Sequence, residues 1–159
     1  MISQFSGAVV DHTRNYRFVL WRFWNESPRV LFIGLNPSTA DEYQNDPTVR
    51  RLLAFANQWG YGGIYLCNVF SYRAKNPETL SEVEAIHSAN IPAIMMANKL
   101  TVMAVVAWGD GIERVKNGRS VAEHIEKLVE PAFCFGLTQK GNPKHPLYLP
   151  NDAMVVEKD

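Results

Sequence analysis

The sequence predicts an α/β protein, a three-layer α/β/α sandwich around a mostly parallel four-stranded sheet with an N-terminal antiparallel edge strand. Three observations lead there. Apolar, β-favouring runs of strand length alternate with stretches whose apolar residues fall at helical spacing. The longest run, Leu100 to Trp108, is continuously apolar, as in a strand covered on both faces. The runs give way abruptly to small, polar and turn-forming residues, most clearly at Gly34-Leu35-Asn36-Pro37-Ser38-Thr39-Ala40-Asp41. In α/β proteins, loops leaving the C-terminal ends of parallel strands are where ligands bind.

The 159 residues suit one domain, 1–159, with a proper core. Sixteen basic and sixteen acidic residues balance, so nucleic-acid binding would need a local basic patch. Cys67 and Cys134 lie in apolar runs and read as reduced core thiols. No apolar run approaches the roughly 20 residues of a membrane span. Met1 to Phe5 lacks the charged start and apolar centre of a signal peptide. A cytoplasmic protein without membrane contact is expected.

Taken in order, Tyr16 to Trp24 is aromatic and β-favouring, interrupted by Arg17 and Arg22. Asn25 to Pro28 is turn chemistry, and Arg29 to Leu35 is the first core strand. The pair is expected to form a hairpin. Trp21 and Trp24 are expected to cover the sheet edge. Asp46 caps a helix with Pro47 in its first position. Val49, Leu52, Leu53, Ala56 and Trp59 form its inner face, Arg50 and Arg51 begin its exposed side, and Gly60 to Gly63 end it. Ile64 to Phe70 is the second strand. Ser81 with Glu84 has capping-box spacing and predicts a short helix over 81–87. Asn90 is expected to cap the next helix, with Ile94 and Ala97 facing inward. Leu100 to Trp108 is the third strand. Ser120 with Glu123 repeats the capping-box spacing, and Val121, Ile125 and Leu128 supply that helix's inner face. Pro131 to Leu137 is the last short strand, and Asn151 to Asp159 reads as a frayed end.

Right-handed crossovers then bring four loops to one sheet edge. They carry Asn36; Asn68 with Arg73 and Lys75; Trp108 with Asp110; and Lys140, Lys144 and His145. The four histidines are scattered and no metal constellation stands out, so neither metal nor cofactor is expected. There is no G-x-S-x-G elbow and no Walker A sequence. Amides suit the reading of a planar heterocycle, since one side chain both donates and accepts. An Asn can also orient a water, and a His can donate to developing negative charge. Each has a plainer reading: Asn36 as a turn former, Asn68 as a satisfied amide, His145 as a surface residue, Asp110 as a turn residue.

Gly34-Leu35-Asn36-Pro37 resembles the first motif of the uracil-DNA glycosylase superfamily, and is most similar to its mismatch-specific thymine/uracil branch. Tyr65 to Ala74 resembles the superfamily's second strand, Val105 to Gly109 its next, and His145-Pro146-Leu147 its late His-Pro motif. The likeness covers most of residues 29–149. The chain is also identified as a member of a bacterial and phage family of uncharacterised small domains. The residues carrying this are Leu35 to Asp41, Asn45 to Arg51, Asn68 to Ala74 and Gly141 to Leu149.

The resemblance implies a glycosylase-like hydrolase cleaving the N-glycosidic bond of a damaged or modified base in DNA. Asn36 would position the attacking water, and Asn68, beside Pro37 and Trp108, would bind the base edge. His145 would stabilise charge on the departing base. Ser38, Thr39, Arg73, Lys75 and Lys144 would hold phosphates. The strongest uracil enzymes carry Asp where this chain has Asn36, and an amide cannot act as a general base. Asp41 or Asp46 is the candidate auxiliary carboxylate. Ser38 to Asp41 and Leu147 to Leu149 also depart from the superfamily pattern, which points away from ordinary uracil. The alternatives are a non-catalytic module binding a base, nucleotide or nucleic acid, and a hydrolase acting on free nucleotides.

Overall fold

The computed structural model describes residues 5–81, 83 and 85–159. Among them, seven strands form one mixed sheet and three α-helices pack on it. The strands are β1 (Phe5–Val10), β2 (Arg17–Phe23), β3 (Arg29–Gly34), β4 (Gly63–Asn68), β5 (Met103–Val106), β6 (Ala132–Cys134) and β7 (Val156–Glu157). The helices are α1 (Pro47–Gln58), α2 (Asn90–Lys99) and α3 (Gly118–Leu128). The sheet order is β1-β2-β4-β3-β5-β6-β7. The inner strands β4, β3, β5 and β6 run parallel. β1 and β2 extend one edge antiparallel, and β7 extends the other.

The sheet is therefore wider and more mixed than the four strands plus one edge strand expected. β2 does not pair with β3 as a hairpin. The α1 crossover sets β4 between them, and β4 takes β2 antiparallel on its far side. The true hairpin is β1 with β2. The segment 151–159 is not wholly frayed, because Val156 pairs with Cys134 and Lys158 meets Glu126 at 2.9 Å. A two-residue strand is too short to leave a period in the sequence.

α1 covers one face of the sheet, and α2 and α3 the other. Alternate residues of β3 divide the two cores. Val30 and Phe32 pack on the α1 side, Leu31 and Ile33 on the other, and all four are fully buried. This two-sided burial is why the core strands read as continuous apolar runs. Cys67 and Cys134 are free and buried within the α2–α3 side core. Trp21 lies over Gly7 of β1, where any Cβ would collide with its ring. No helix among the described residues is long and apolar enough to cross a membrane.

α1 begins as its sequence requires: the Asp46 carboxylate accepts from Val49 N at 2.9 Å and Pro47 follows. Arg51 is not on an exposed side. It turns back over the Phe55 ring, 4.8 Å from its centroid, and donates to the carbonyls of Pro146 and Leu149 and to Asn151 Oδ1. Asn90 does not cap α2. It is buried inside the first turn and donates Nδ2 to the carbonyls of Asn68 and Val69, at 2.9 and 3.1 Å. α3 starts two residues before Ser120, after Asn117 in a left-handed conformation, without a side-chain cap. In place of the helix predicted over 81–87 there is a 3-10 turn, Pro77–Ser81, and residues 85–87 are irregular. The Glu84 half of that capping box, and Met1 to Gln4, lie outside the described residues.

Phe55 joins α1 to the sheet, with Trp59 at 5.6 Å and Phe135 at 4.9 Å between ring centroids. Phe55→Ala should lower unfolding free energy by about 3–5 kcal/mol, as for other buried aromatics. Urea titration at equilibrium measures this.

Candidate functional site

The strand order places a topological switch point between β3 and β5, whose outgoing connections run to opposite faces of the sheet. Ligands of open α/β sheets bind in this crevice. A cavity of about 410 Å³ opens there, lined by Gly34 at the end of β3, by Leu35, Asn36 and Ser38 of the loop after it, by Asn68 at the end of β4, and beyond β5 by Trp108 to Gly111. Asp46 and Thr48 at the start of α1 and His145 to Tyr148 close it, and Arg17 of β2 reaches in from the side. The volume lies within the ~300–1,000 Å³ usual for small-molecule sites.

The expected convergence of loops is present for Asn36, Ser38, Asp46, Asn68, Lys75, Trp108 and His145. Pro37, Thr39, Asp41, Arg73 and Lys144 fall outside the lining. Pro37 turns its carbonyl to Asn36 and Ala74, and Thr39 and Lys144 are exposed. Asp41 closes a tight turn, its Oδ1 accepting from Tyr43 N and Gln44 N at 2.8 Å. Arg73 ties loops together through the carbonyls of Ser38 and Arg14, both at 3.3 Å. Lys140 contributes its carbonyl to Arg119.

The polar groups have defined hydrogen-bond polarity. Asn36 donates Nδ2 to the carbonyls of Pro37 (2.9 Å) and Ala74 (2.7 Å), so the capacity it keeps is the acceptor Oδ1. Asn68 is the reverse. Its Oδ1 accepts from Arg17 Nη2 at 3.2 Å, and no described residue accepts from its Nδ2. His145 Nδ1 accepts from Leu147 N at 3.2 Å, which puts the imidazole proton on Nε2 and makes that nitrogen a donor. Burial lowers the His145 pKa against the opposing pull of the Asp46 carboxylate, so the ring is neutral at pH 7. Asp46 is the buried carboxylate of the lining; besides capping α1 it accepts from Ala40 N at 3.3 Å. Asp110, on the exposed rim, accepts from Thr138 and Asn142 at 2.7 and 2.9 Å, and these bonds hold its pKa down.

Arg17 is the site residue that sequence reasoning passed over. It is 2% exposed and donates Nη1 to Ala40 O at 2.9 Å as well as Nη2 to Asn68. Burial pulls its pKa down to about 10, partly offset by Asp46, so it stays charged at neutral pH. Arg22 is buried too, donating to Asp41 O, Gln44 O and Asn45 Oδ1. Strict alternation would send side chains 17 and 22 to opposite faces. Val9 opposes Val19 but Val10 opposes Arg17, so Phe18 is an extra residue, and such a bulge re-aims the side chains beside it. The available signal was a pair of charges inside an aromatic strand.

Two glycines set the spacing. A Cβ on Gly34 would lie 2.9 Å from Asn68 Nδ2. Gly109 has φ +70 and ψ −171, a conformation essentially reserved for glycine, and a Cβ there would lie 2.9 Å from His145 Cβ.

Fold and pocket define an α/β protein with a largely apolar cavity at the sheet's switch point, into which a few polar side chains converge. Within that class, residues 17–147 match the family model described as "Protein of unknown function (DUF1643)", and the chain belongs to that family. No curated protein and no solved structure matches it.

Gly109→Ala should destabilise the fold by about 1–3 kcal/mol and shift His145; thermal unfolding and the His145 ring resonances report the two effects. For His145 the folded pKa lies below the unfolded 6.5, so the unfolded chain takes up the proton first. Its contribution to stability is intact above pH 6.5 and is lost as pH falls through the folded value. The urea midpoint should drop across that window, and His145→Gln should flatten the drop.

Proposed function

We propose that this chain is a cytoplasmic, glycosylase-like hydrolase that cleaves the N-glycosidic bond of a damaged or modified base in DNA. The observation that carries the reading is one cavity combining Asn36, whose amide hydrogens are both engaged, Asn68, whose oxygen faces Arg17 and whose NH₂ no described residue engages, and a neutral, donating His145. Its motif likeness to the uracil-DNA glycosylase superfamily supports the same roles. A base flipped from the stack enters between Asn68 and Trp108. Asn36 Oδ1 accepts a hydrogen bond from the water that attacks C1′ and so orients it. His145 Nε2–H donates to negative charge developing on the departing base, where a preorganised donor acts most strongly in a water-poor site. Asp46, beside His145 and Arg17, is the auxiliary carboxylate, and Asp41 is not part of the machinery. Ser38 and Lys75, joined by Arg114, take the phosphates.

A second reading is binding or hydrolysis of a free nucleotide. It is favoured by the mixed rim, where exposed Lys75 and Arg114 share the lining with exposed Asp110 in place of a continuous basic strip.

Oligonucleotides carrying a panel of modified bases, incubated with the protein and scored for abasic sites, test the first reading. Release of one base class is expected, falling roughly 100- to 1,000-fold in Asn36→Ala and His145→Ala. No release from any oligonucleotide, with hydrolysis of free nucleotides instead, would establish the second.

A further inference from the structure

Asn68 has an amide that, free to rotate, would offer either its oxygen or its NH₂ to a ligand. Here it has no such freedom. Arg17 has only donors, so the Asn68 oxygen must face it, and a flipped amide would set donor against donor in a buried site. Arg17 itself is immobilised: its backbone N–H donates to Ser71 O at 2.9 Å, its Nη1 to Ala40 O at 2.9 Å, and the side chain is wholly enclosed. The backbone beneath Asn68 is pinned by the buried Asn90 amide, and Gly34 leaves the space its Nδ2 occupies. Arg17 Nε, buried and unpartnered, adds to a positive field that Asp46 opposes without a hydrogen bond to the guanidinium.

We propose that Arg17 is a specificity-determining residue that locks Asn68 as a one-way donor, so that the pocket selects bases with a carbonyl edge over bases with an amino edge. This rests on the base-pocket reading above. A carbonyl oxygen accepts from Asn68 Nδ2, whereas an exocyclic amine presents hydrogens to hydrogens. The guanidinium polarises the amide through Oδ1 and strengthens Nδ2 as a donor. Arg17 acts through Asn68 and need not touch the ligand.

The test is titration of the full chain with deoxyuridine against deoxycytidine, and with deoxyinosine against deoxyadenosine, followed by NMR at the Asn68 side-chain amide. The oxo member of each pair should bind at least ~10-fold tighter, since a site built around one hydrogen-bond polarity rejects the other strongly. Arg17→Met, if it folds by circular dichroism, should bind both members alike. Asn68→Asp, which keeps the partner of Arg17 but presents only acceptors, should abolish or reverse the preference whether or not Arg17→Met folds. Equal binding of both members by the wild type overturns the role of Arg17 and leaves the base pocket standing. A preference that persists unchanged in a folded Arg17→Met, or in Asn68→Asp, also overturns it. Binding of none of the four overturns the base pocket itself, and this inference with it.

Discussion

A buried guanidinium governs how this molecule is assembled. Arg17 is removed from water without a hydrogen-bonded carboxylate, and an unpaired buried cation is costly. Two of its donors are met by one loop carbonyl and one amide oxygen, Nε has no partner, and the nearby charge of Asp46 offsets part of the penalty. These acceptors lie on the loop after β3 and at the end of β4. The antiparallel strand β2, outside the parallel core, thus holds two walls of the cavity in register. Arg22 repeats the device on Asp41, Gln44 and Asn45, and Arg51 does the same for the segment after His145. Each arginine converts a polar loop into a wall by taking up its carbonyls, which would otherwise need water.

The polar groups of the cavity are defined by hydrogen-bond direction more than by charge. Backbone carbonyls consume the Asn36 donors, Arg17 holds the Asn68 oxygen toward itself, and the Leu147 amide consumes His145 Nδ1. What each turns toward the cavity is one kind of hydrogen-bonding group, on a side chain whose orientation other contacts enforce. The glycines make this possible at close range. Gly34 admits the Asn68 amide, and Gly109 brings the chain after β5 against His145. Such preorganisation lets neutral groups discriminate between ligands that differ by a single donor or acceptor.

Much of the fold was legible in the sequence because it depends on local signals. Two-sided burial leaves continuous apolar runs, so β3 and β4 could be read directly; of the strand expected over Leu100 to Trp108 only Met103–Val106 forms β5, because Leu100 and Val102 are exposed and apolar character alone does not mark where burial begins. Asp46-Pro47 is a complete helix start within two residues. Partner choice was not legible. β2 looked ready to pair with β3, its neighbour in sequence, but β4 intervened once α1 crossed over. Asn90 has the chemistry of a cap, yet tertiary packing gave it the carbonyls of Asn68 and Val69. The helix expected over 81–87 gave way to a 3-10 turn followed by irregular chain.

For the site, the sequence by itself determined which chemistry is present. Strand-end amides, a late His-Pro and an aspartate before the first helix are local facts, and strand polarity alone brings their loops to one edge. Only the tertiary structure decided what those groups can offer. Whether Asn68 donates or accepts depends on a guanidinium 51 residues earlier, turned inward by a one-residue bulge. Whether Asp41 or Asp46 faces the cavity depends on which turn closes the loop. Hydrogen-bond direction is a property of the partner as much as of the residue, and partners distant in sequence leave no local trace.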